Sequence, residues 1–197
     1  MTVAFLKEEN KMRYILASKS PRRRELISEL IEKFEIITAE VDECLPSSIH
    51  PREGVEILAI RKGEAVAKDN PDAIVISSDT LVELGGVALG KPADRDDAVR
   101  MLTSLSGKAH NVHTGVAVHF GDKLYSGVAT TAVYFREMTT AEIEDYVNSG
   151  DPMDKAGAYG IQSGGGKFVE KFDGDYDTVV GLSMRLVKEL LSKIDNK

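Results

Sequence analysis

Apolar and polar residues repeat along this chain with two periods, close to 3.6 and close to 2, and the two periods take turns. Residues 13–18 carry Tyr14-Ile15-Leu16 and suit a strand, while 21–32 place Leu26, Ile27, Leu30 and Ile31 at helical spacing. A second strand is expected at 34–39 and a long helix at 51–69. Residues 73–78 form a short apolar run, the composition of a strand covered on both faces. Residues 81–84 and 87–89 flank Gly85-Gly86, a two-residue hairpin signal. A helix follows at 94–105, with acidic residues in its first turn and Gly107 just past its end.

Farther on, 111–120 and 123–135 alternate apolar and polar positions and meet at Gly121-Asp122, which predicts an antiparallel pair. A helix with a threonine cap is expected at 140–148, a late strand at 168–172 and a C-terminal helix at 182–194. There is no repeat, low-complexity tract or long linker. The pattern predicts an α/β chain with a mixed sheet flanked by helices. Residues 12–197 read as a single domain, and 1–11, ahead of Met12, as a short and poorly ordered extension.

Composition narrows the function classes. A chain of 197 residues can bury a proper core, and 42% hydrophobic with 29% charged residues is ordinary globular usage. The net charge of −7 argues against a nucleic-acid coat or a membrane-surface protein, so any anion site must be a local basic pocket. The single cysteine, Cys44, excludes an internal disulfide framework, suits a reducing cytoplasm, and reads as a free structural thiol. No apolar run approaches the ~20 residues that cross a bilayer. The first eleven residues lack a signal-peptide core and cleavage site.

The most unusual stretch is Ser18-Lys19-Ser20-Pro21-Arg22-Arg23-Arg24. Ser20 suits an N-cap and Pro21 the first helical position. Cations at a helix N-terminus are unfavourable by roughly 0.3–1 kcal/mol each. The free N–H groups, the Ser18 and Ser20 hydroxyls and the guanidinium forks therefore fit an anion such as phosphate. A solvated basic turn neutralised by Glu25 and Glu29 is the other reading.

Lys62 falls within the apolar stripe Val55, Leu58, Ala59, Val66, so it either snorkels outward or faces a polar cleft; Gly63 beside it permits a close approach. Asp79-Thr80 is expected at the carboxyl end of the strand 73–78, where ligands bind in open α/β sheets. There Asp79 would be a metal ligand, a base or a turn cap. Asp42 and Glu43 follow another strand and offer hard oxygen ligands for Mg²⁺, or form a solvated acidic loop. Lys91 is fixed between Gly90 and Pro92. In 154–166 glycines allow close backbone approach, Tyr159 and Ile161 look like anchors, and Gln162 can both donate to and accept from a nucleobase edge.

Several motifs fail on their own chemistry. Residues 85–92 match G-x-x-x-x-G-K, but Pro92 stands where a P-loop needs Ser or Thr. Asp173-Gly174-Asp175 opens like a calcium loop, yet Thr178 and Met184 replace the turn glycine and the bidentate glutamate. His110 and His113 are three apart in a strand and point to opposite faces, and His50 and His119 show no partners.

Ala17-Ser18-Lys19-Ser20-Pro21-Arg22-Arg23, Ser78-Asp79-Thr80, Leu89-Gly90-Lys91-Pro92, Asp154-Lys155-Ala156-Gly157-Ala158-Tyr159-Gly160-Ile161-Gln162 and Gly174-Asp175-Tyr176 with Val179-Val180-Gly181-Leu182 follow in the order seen in Maf proteins. The chain resembles that family from about Met12 to its C-terminus. The resemblance implies a two-lobed mixed α/β fold around a deep cleft, similar to inosine triphosphatases. It implies a nucleoside triphosphate pyrophosphatase that uses a divalent cation, Mg²⁺ or Mn²⁺, and cuts between the α and β phosphates to release a monophosphate and pyrophosphate. The mechanism expected is in-line attack of a metal-activated water on the α-phosphorus. Asp-Thr and Gly-Ile-Gln are similar to the branch acting on dTTP and UTP, whereas the branch acting on 7-methyl-GTP typically carries Asp-Gln.

By the same resemblance Asp79 would be the proton acceptor. Separately, Asp79 and Glu43 are expected to orient Mg²⁺, and base and ligand stay alternatives for Asp79. Ser18, Arg22, Arg23, Glu43, Lys62 and Lys91 serve catalysis or phosphate binding, and Arg23, Thr80 and Gln162 serve base choice. Arg24 has no counterpart in the motif. The chain departs from the family at Ser77-Ser78 (usually Gly-Ala), Ser183 (usually proline) and Ser163 (usually glycine), the last within the base-reading loop. The implied partner is a small-molecule nucleotide, with no stable nucleic-acid binding, no membrane and room for a homodimer. The family's link to arrest of septum formation leaves an alternative: a nucleotide-binding regulator of cell division without turnover.

Overall fold

The computed structural model describes residues 12–46 and 48–195. The extension expected at 1–11 lies outside the described residues. The chain runs β1 (Arg13–Leu16), α1 (Pro21–Ser28), β2 (Glu35–Ile36), α2 (Pro51–Ala67), β3 (Ala73–Leu84), β4 (Val87–Leu89), α3 (Arg95–Leu105), β5 (Ala109–Phe120), β6 (Lys123–Phe135), α4 (Thr140–Asn148), β7 (Val169–Asp173), α5 (Tyr176–Val180) and α6 (Met184–Asp195). Three 3₁₀ turns connect α4 to β7. The seven strands form one sheet in the order β2-β1-β3-β5-β6-β7, with β4 paired to the far end of β3. The β1 pairings with β2 and β3 are parallel and the rest antiparallel, so the sheet is mixed, as expected.

Two elements are shorter than their patterns predict. Helix α1 stops at Ser28, where the Ser28 hydroxyl turns back onto the Glu25 carbonyl at 2.6 Å and the next N–H groups bond three residues back. Strand β2 pairs only at Glu35 and Ile36. The cap of α4 is a full capping box between Thr139 and Glu142. His50, which showed no partner in sequence, caps α2: its Nδ1 accepts from Arg52 N–H at 3.2 Å.

Strand β3 corrects a larger expectation. Asp79 does not end a strand; β3 runs unbroken for 12 residues because β5 pairs with it from Val75 to Glu83. The other edge of β3 is where the chain opens. Strand β1 stops at Leu16, opposite Ile76, and β4 joins only at Val82. Ser77–Leu81 therefore has no strand on that side, and Asp79 lies in the gap.

The two faces of β3 are covered differently. Helix α2 lies over the face carrying Val75, Ser77 and Asp79, and it lies very close. A Cβ on Gly63 would come within 2.5 Å of Ser77 Oγ, and one on Gly115 within 2.3 Å of the Val55 carbonyl oxygen. The close approach that Gly63 permits is thus to the sheet.

On the opposite face two apolar clusters form the lobes. One joins Ile74, Ile76 and Val116 to α1 and α6; the other joins Val82, Val112 and Val133 to α3, α4 and Phe168. Between them the face is polar, with Ser78, Thr80 and Thr114 bonded to the carbonyls of Gly181 and Thr178. A cleft opens where the lobes part. Among the described residues no helix is long and apolar enough to cross a membrane.

Candidate active site

The cleft has a volume of about 900 Å³, within the range of small-molecule sites. It is lined by Ser18, Ser20, Arg22, Arg23 and Glu43 on the side of the first lobe, Lys62, Asp79 and Thr80 on the floor, and Lys91 and Gln162 from the second lobe. Exposed Arg24 is not among them. Asp42, the other candidate oxygen ligand, lies outside the cleft and accepts from Cys44 N–H at 2.9 Å.

Lys62 faces the cleft and does not snorkel. The register of α2 on β3, fixed by Gly63 and Gly115, brings Lys62 Nζ to 2.6 Å from Asp79 Oδ1 and 2.8 Å from Glu43 Oε1. Asp79 is 13% exposed and Glu43 61%, so one carboxylate belongs to the floor and the other reaches in from the rim. The Lys62 hydrogen bond, aided by the charges of Lys91 and Arg23, holds the Glu43 carboxyl below its usual value despite partial burial.

The arginines part company. Arg22 crosses the cleft to Asp154, NH1 to Oδ2 at 3.0 Å, and so links the two lobes. Arg23 is turned inward as a strut. Its Nε donates to the Gly181 carbonyl (2.7 Å), NH1 to Ser78 O (2.7 Å) and Ser18 Oγ (3.3 Å), and NH2 to Thr80 Oγ1 (3.1 Å). Burial lowers its proton affinity, although an arginine stays charged in any case. Ser20 Oγ caps α1 by accepting from Arg23 N–H at 3.4 Å.

Gln162 stands exposed at the tip of the turn 160–163. Tyr159, the expected anchor, is buried and its hydroxyl lies 2.9 Å from His110 Nε2. Lys91 is exposed at the cleft edge, and Gly157 N–H bonds the Gly90 carbonyl, tying the end of β4 to the segment 154–166. Cys44 is exposed, so it does not serve packing; its bond to Asp42 pushes the thiol up and away from the thiolate. The histidines behave as their spacing requires: His110 packs with Tyr159 in one lobe, whereas His113 faces Glu83 at 2.6 Å on the other side of the sheet.

Sequence reasoning gave no role to four participants: Asp154, Lys155 and Gly181 were only members of quoted motifs, and Asp151 was not singled out at all. Asp151, Asp154 and Lys155 all line the cleft, and Lys155 Nζ bonds both carboxylates, Asp151 Oδ1 at 3.0 Å and Asp154 Oδ1 at 2.7 Å. The fourth is Gly181, whose carbonyl collects Arg23, Ser78 and Thr80. Its φ of 126° is the available signal, since a glycine before a helix marks a backbone that side chains disfavour.

Two carboxylates that share one ammonium nitrogen are set to share one cation. Among the described residues no group of three or more His, Cys, Asp or Glu forms a metal cage. Two protein oxygens suit Mg²⁺, which keeps several waters and takes its remaining ligands from phosphates.

Comparison with known proteins bears on the family and the fold. Residues 13–194 match the family model described as Maf-like protein. A dTTP/UTP pyrophosphatase of Bacillus velezensis is 45% identical over 181 residues, covering 90% of this chain and 96% of that protein. Proteins of the same name from Bacillus cereus (48%, 89% and 93% covered) and Bdellovibrio bacteriovorus (47%, 91% and 97%) are equally similar. In three dimensions the Staphylococcus aureus Ham1 protein superposes with a TM-score of 0.51 at 16% identity, covering 92% of this chain and 99% of the other, a likeness of fold.

Proposed function

Because the chain belongs to the Maf family, we propose that it is a nucleoside triphosphate pyrophosphatase that converts dTTP and UTP to the monophosphate and pyrophosphate. The observation that carries this reading is the Lys62 ammonium clamped between Asp79 and Glu43 on the floor of a cleft with further cations on both sides. A module that only binds nucleotide has no use for a half-buried carboxylate among the phosphate-binding cations.

The chemistry asked of the chain is positioning and charge stabilisation, where most of phosphoryl-transfer catalysis lies. Arg22 exchanges Asp154 for phosphate oxygens as the triphosphate enters. Lys62 and Lys91 approach the triphosphate from the floor and the opposite rim, and Ser18 and Ser20 add hydroxyls. Arg23 holds the cation wall in shape through Ser78, Thr80 and Gly181. Asp79 accepts the proton of the attacking water, and Gln162 with Thr80 addresses the pyrimidine. Asp79 and Glu43 would hold a divalent cation, Mg²⁺ or Mn²⁺, which supplies Lewis-acid polarisation of the phosphate oxygens and lowers the pKa of bound water. A single cysteine suits a reducing, cytoplasmic setting.

The test is pyrophosphate release from a panel of nucleoside triphosphates with Mg²⁺, Mn²⁺ or excess chelator, in wild type and Asp79→Asn. Release from dTTP and UTP that stops with chelator is expected, together with a loss of about 10²–10⁴-fold in Asp79→Asn, the usual worth of a general base. Near-wild-type turnover in Asp79→Asn sinks the role of that residue. No release from any nucleotide favours a regulator that binds without turnover.

A further inference from the structure

The turn that carries Gln162 is held at both ends by a single carboxylate. Ser163 N–H bonds the Gly160 carbonyl at 3.2 Å, so Gly160–Ser163 is a four-residue turn with Ile161 and Gln162 at its centre. At one end the Ser163 hydroxyl donates to Asp151 Oδ2 at 2.6 Å. At the other the Gly160 N–H donates to the Tyr146 hydroxyl at 3.1 Å, and that hydroxyl donates to the same Asp151 Oδ2 at 2.6 Å. Lys155 Nζ closes the arrangement on Asp151 Oδ1 at 3.0 Å and on the Asp151 carbonyl at 2.5 Å.

Each contact is of a kind that fixes geometry. Hydrogen bonds to an ionised acceptor are short and about twice as strong as neutral ones. Burial works against the Asp151 charge, but bonds from Ser163, Tyr146 and Lys155 outweigh it and keep the carboxyl below its usual value. The side chain of Tyr146 cannot yield, because it packs edge-on against Phe168 and sits under Gly164, where a Cβ would come within 2.9 Å of its ring. Ile161 lies between the two apolar clusters. Gln162 and Ser163 are the exposed residues of the turn and both line the cleft, but Ser163 is tied to Asp151, which leaves Gln162 as the central exposed side chain of a turn fixed at both ends.

We propose that Asp151 is a positioning residue for base recognition, acting through Tyr146 and Ser163 to hold the Gln162 turn in its reading position. The inference rests on the reading of the cleft as a pyrimidine nucleotide site with Gln162 toward the base. It separates two parts of the ligand: the Asp151 network orders the base side, whereas Lys62, Lys91 and Arg22 act on the phosphates. Pre-ordering a loop raises affinity by removing the cost of immobilising it on binding.

The experiment measures binding of dTTP and of inorganic tripolyphosphate, which has the phosphates without the base, to wild type, Asp151→Ala, Tyr146→Phe and Ser163→Gly. Tyr146→Phe leaves the Lys155–Asp151 ion pair intact and keeps the test sound if Asp151→Ala folds poorly. Expected is a loss of about tenfold in dTTP affinity for Asp151→Ala and Tyr146→Phe, about threefold for Ser163→Gly, and tripolyphosphate affinity within twofold of wild type. Hydrogen exchange across 158–166 should speed up in all three. Equal weakening toward both ligands, or unchanged dTTP binding with accelerated exchange, overturns the proposal. If wild type binds neither dTTP nor UTP, the parent reading fails instead, and unchanged exchange in the variants would then overturn the positioning role by itself.

Discussion

Arg23 NH1 donates to the Ser78 carbonyl oxygen at 2.7 Å, where the next strand of a sheet would otherwise donate. Ser77–Leu81 lacks a neighbour on this edge because β1 ends opposite Ile76, and its last rung there is Ala17 N–H to the Ile76 carbonyl at 2.8 Å. An open edge normally presents unpaired main-chain groups. Here a guanidinium fork satisfies the edge, reaches Thr80 and Gly181 with its other nitrogens, and leaves Asp79 accessible between them.

A lysine cannot replace that fork, because one point charge cannot serve four acceptors on three segments. Arg23→Lys is expected to lower stability by about 2 kcal/mol, the scale of losing bonds from a charged donor to buried acceptors. In a chain of this size that corresponds to a Tm roughly 4–8 °C lower. Calorimetry checks it. A Tm within 1 °C of wild type would show that the strut carries no weight.

Lys62→Met keeps the length and apolar stem of the side chain and removes the charge held between Asp79 and Glu43. The expected outcome is a folded protein whose kcat on dTTP falls at least 10²-fold, in line with the loss of one preorganised charge at a reaction centre. Circular dichroism and steady-state kinetics on the same sample separate the effects. A destabilised but fully active variant would return Lys62 to a packing role.

Gly115→Ala tests what sets the position of Lys62. The added Cβ would meet the Val55 carbonyl at 2.3 Å and Glu56 N at 2.8 Å, main-chain atoms that cannot rotate aside. Helix α2 must lift from the sheet, at a cost of about 3 kcal/mol or more. Urea unfolding should show that loss, and turnover should fall because Lys62 is carried away from Asp79. Unchanged stability would mean that the helix seat is softer than its geometry implies.

Acid sensitivity should trace to histidine before carboxylates. Burial disfavours the charged ring of His110 and lowers its pKa from 6.5 to about 4; His119 is shifted downward for the same reason. The unfolded chain takes up these protons near pH 6.5, while folded His110 does so only near pH 4. Stability is therefore constant above about pH 6.5 and falls as pH drops through that window, with His110 accounting for roughly 2 kcal/mol at pH 5. Carboxyls held low in the fold add their loss only below about pH 4.5. His110→Gln should flatten the slope between pH 6.5 and 4.5 in urea titrations. An unaltered slope would exclude His110 as its source.

Much of the architecture was written into local patterns. Period-2 alternation over 111–120 and 123–135 fixed the long antiparallel pair β5–β6, and the Thr139–Glu142 box fixed the start of α4. A Ser-Pro pair placed the first turn of α1. These are decisions between neighbours in the chain, where backbone geometry and capping energies act over four residues or fewer. The candidate residues drew notice for a related reason, since cations at a helix N-terminus or a lysine in an apolar stripe are out of place. Each kept a bland alternative until the Maf resemblance joined them, and the structure then put them on one cleft.

What the residues do to one another was decided in three dimensions. Two adjacent arginines in one helical turn became a cleft-crossing ion pair and a buried strut, because their side chains leave the helix about 100° apart and meet different acceptors. Asp79 came to lie mid-strand, because β5 supports the whole of β3 and only β1 ends early, a fact about strand lengths in other parts of the chain. Asp151 escaped notice because its partners, Tyr146, Lys155 and Ser163, converge only after the 3₁₀ turns fold back on α4. Sequence alone supplied the candidate groups. Tertiary structure determined which of them face the cleft and which hold the others in place, because main-chain reach and side-chain direction are set by packing between segments far apart in the chain.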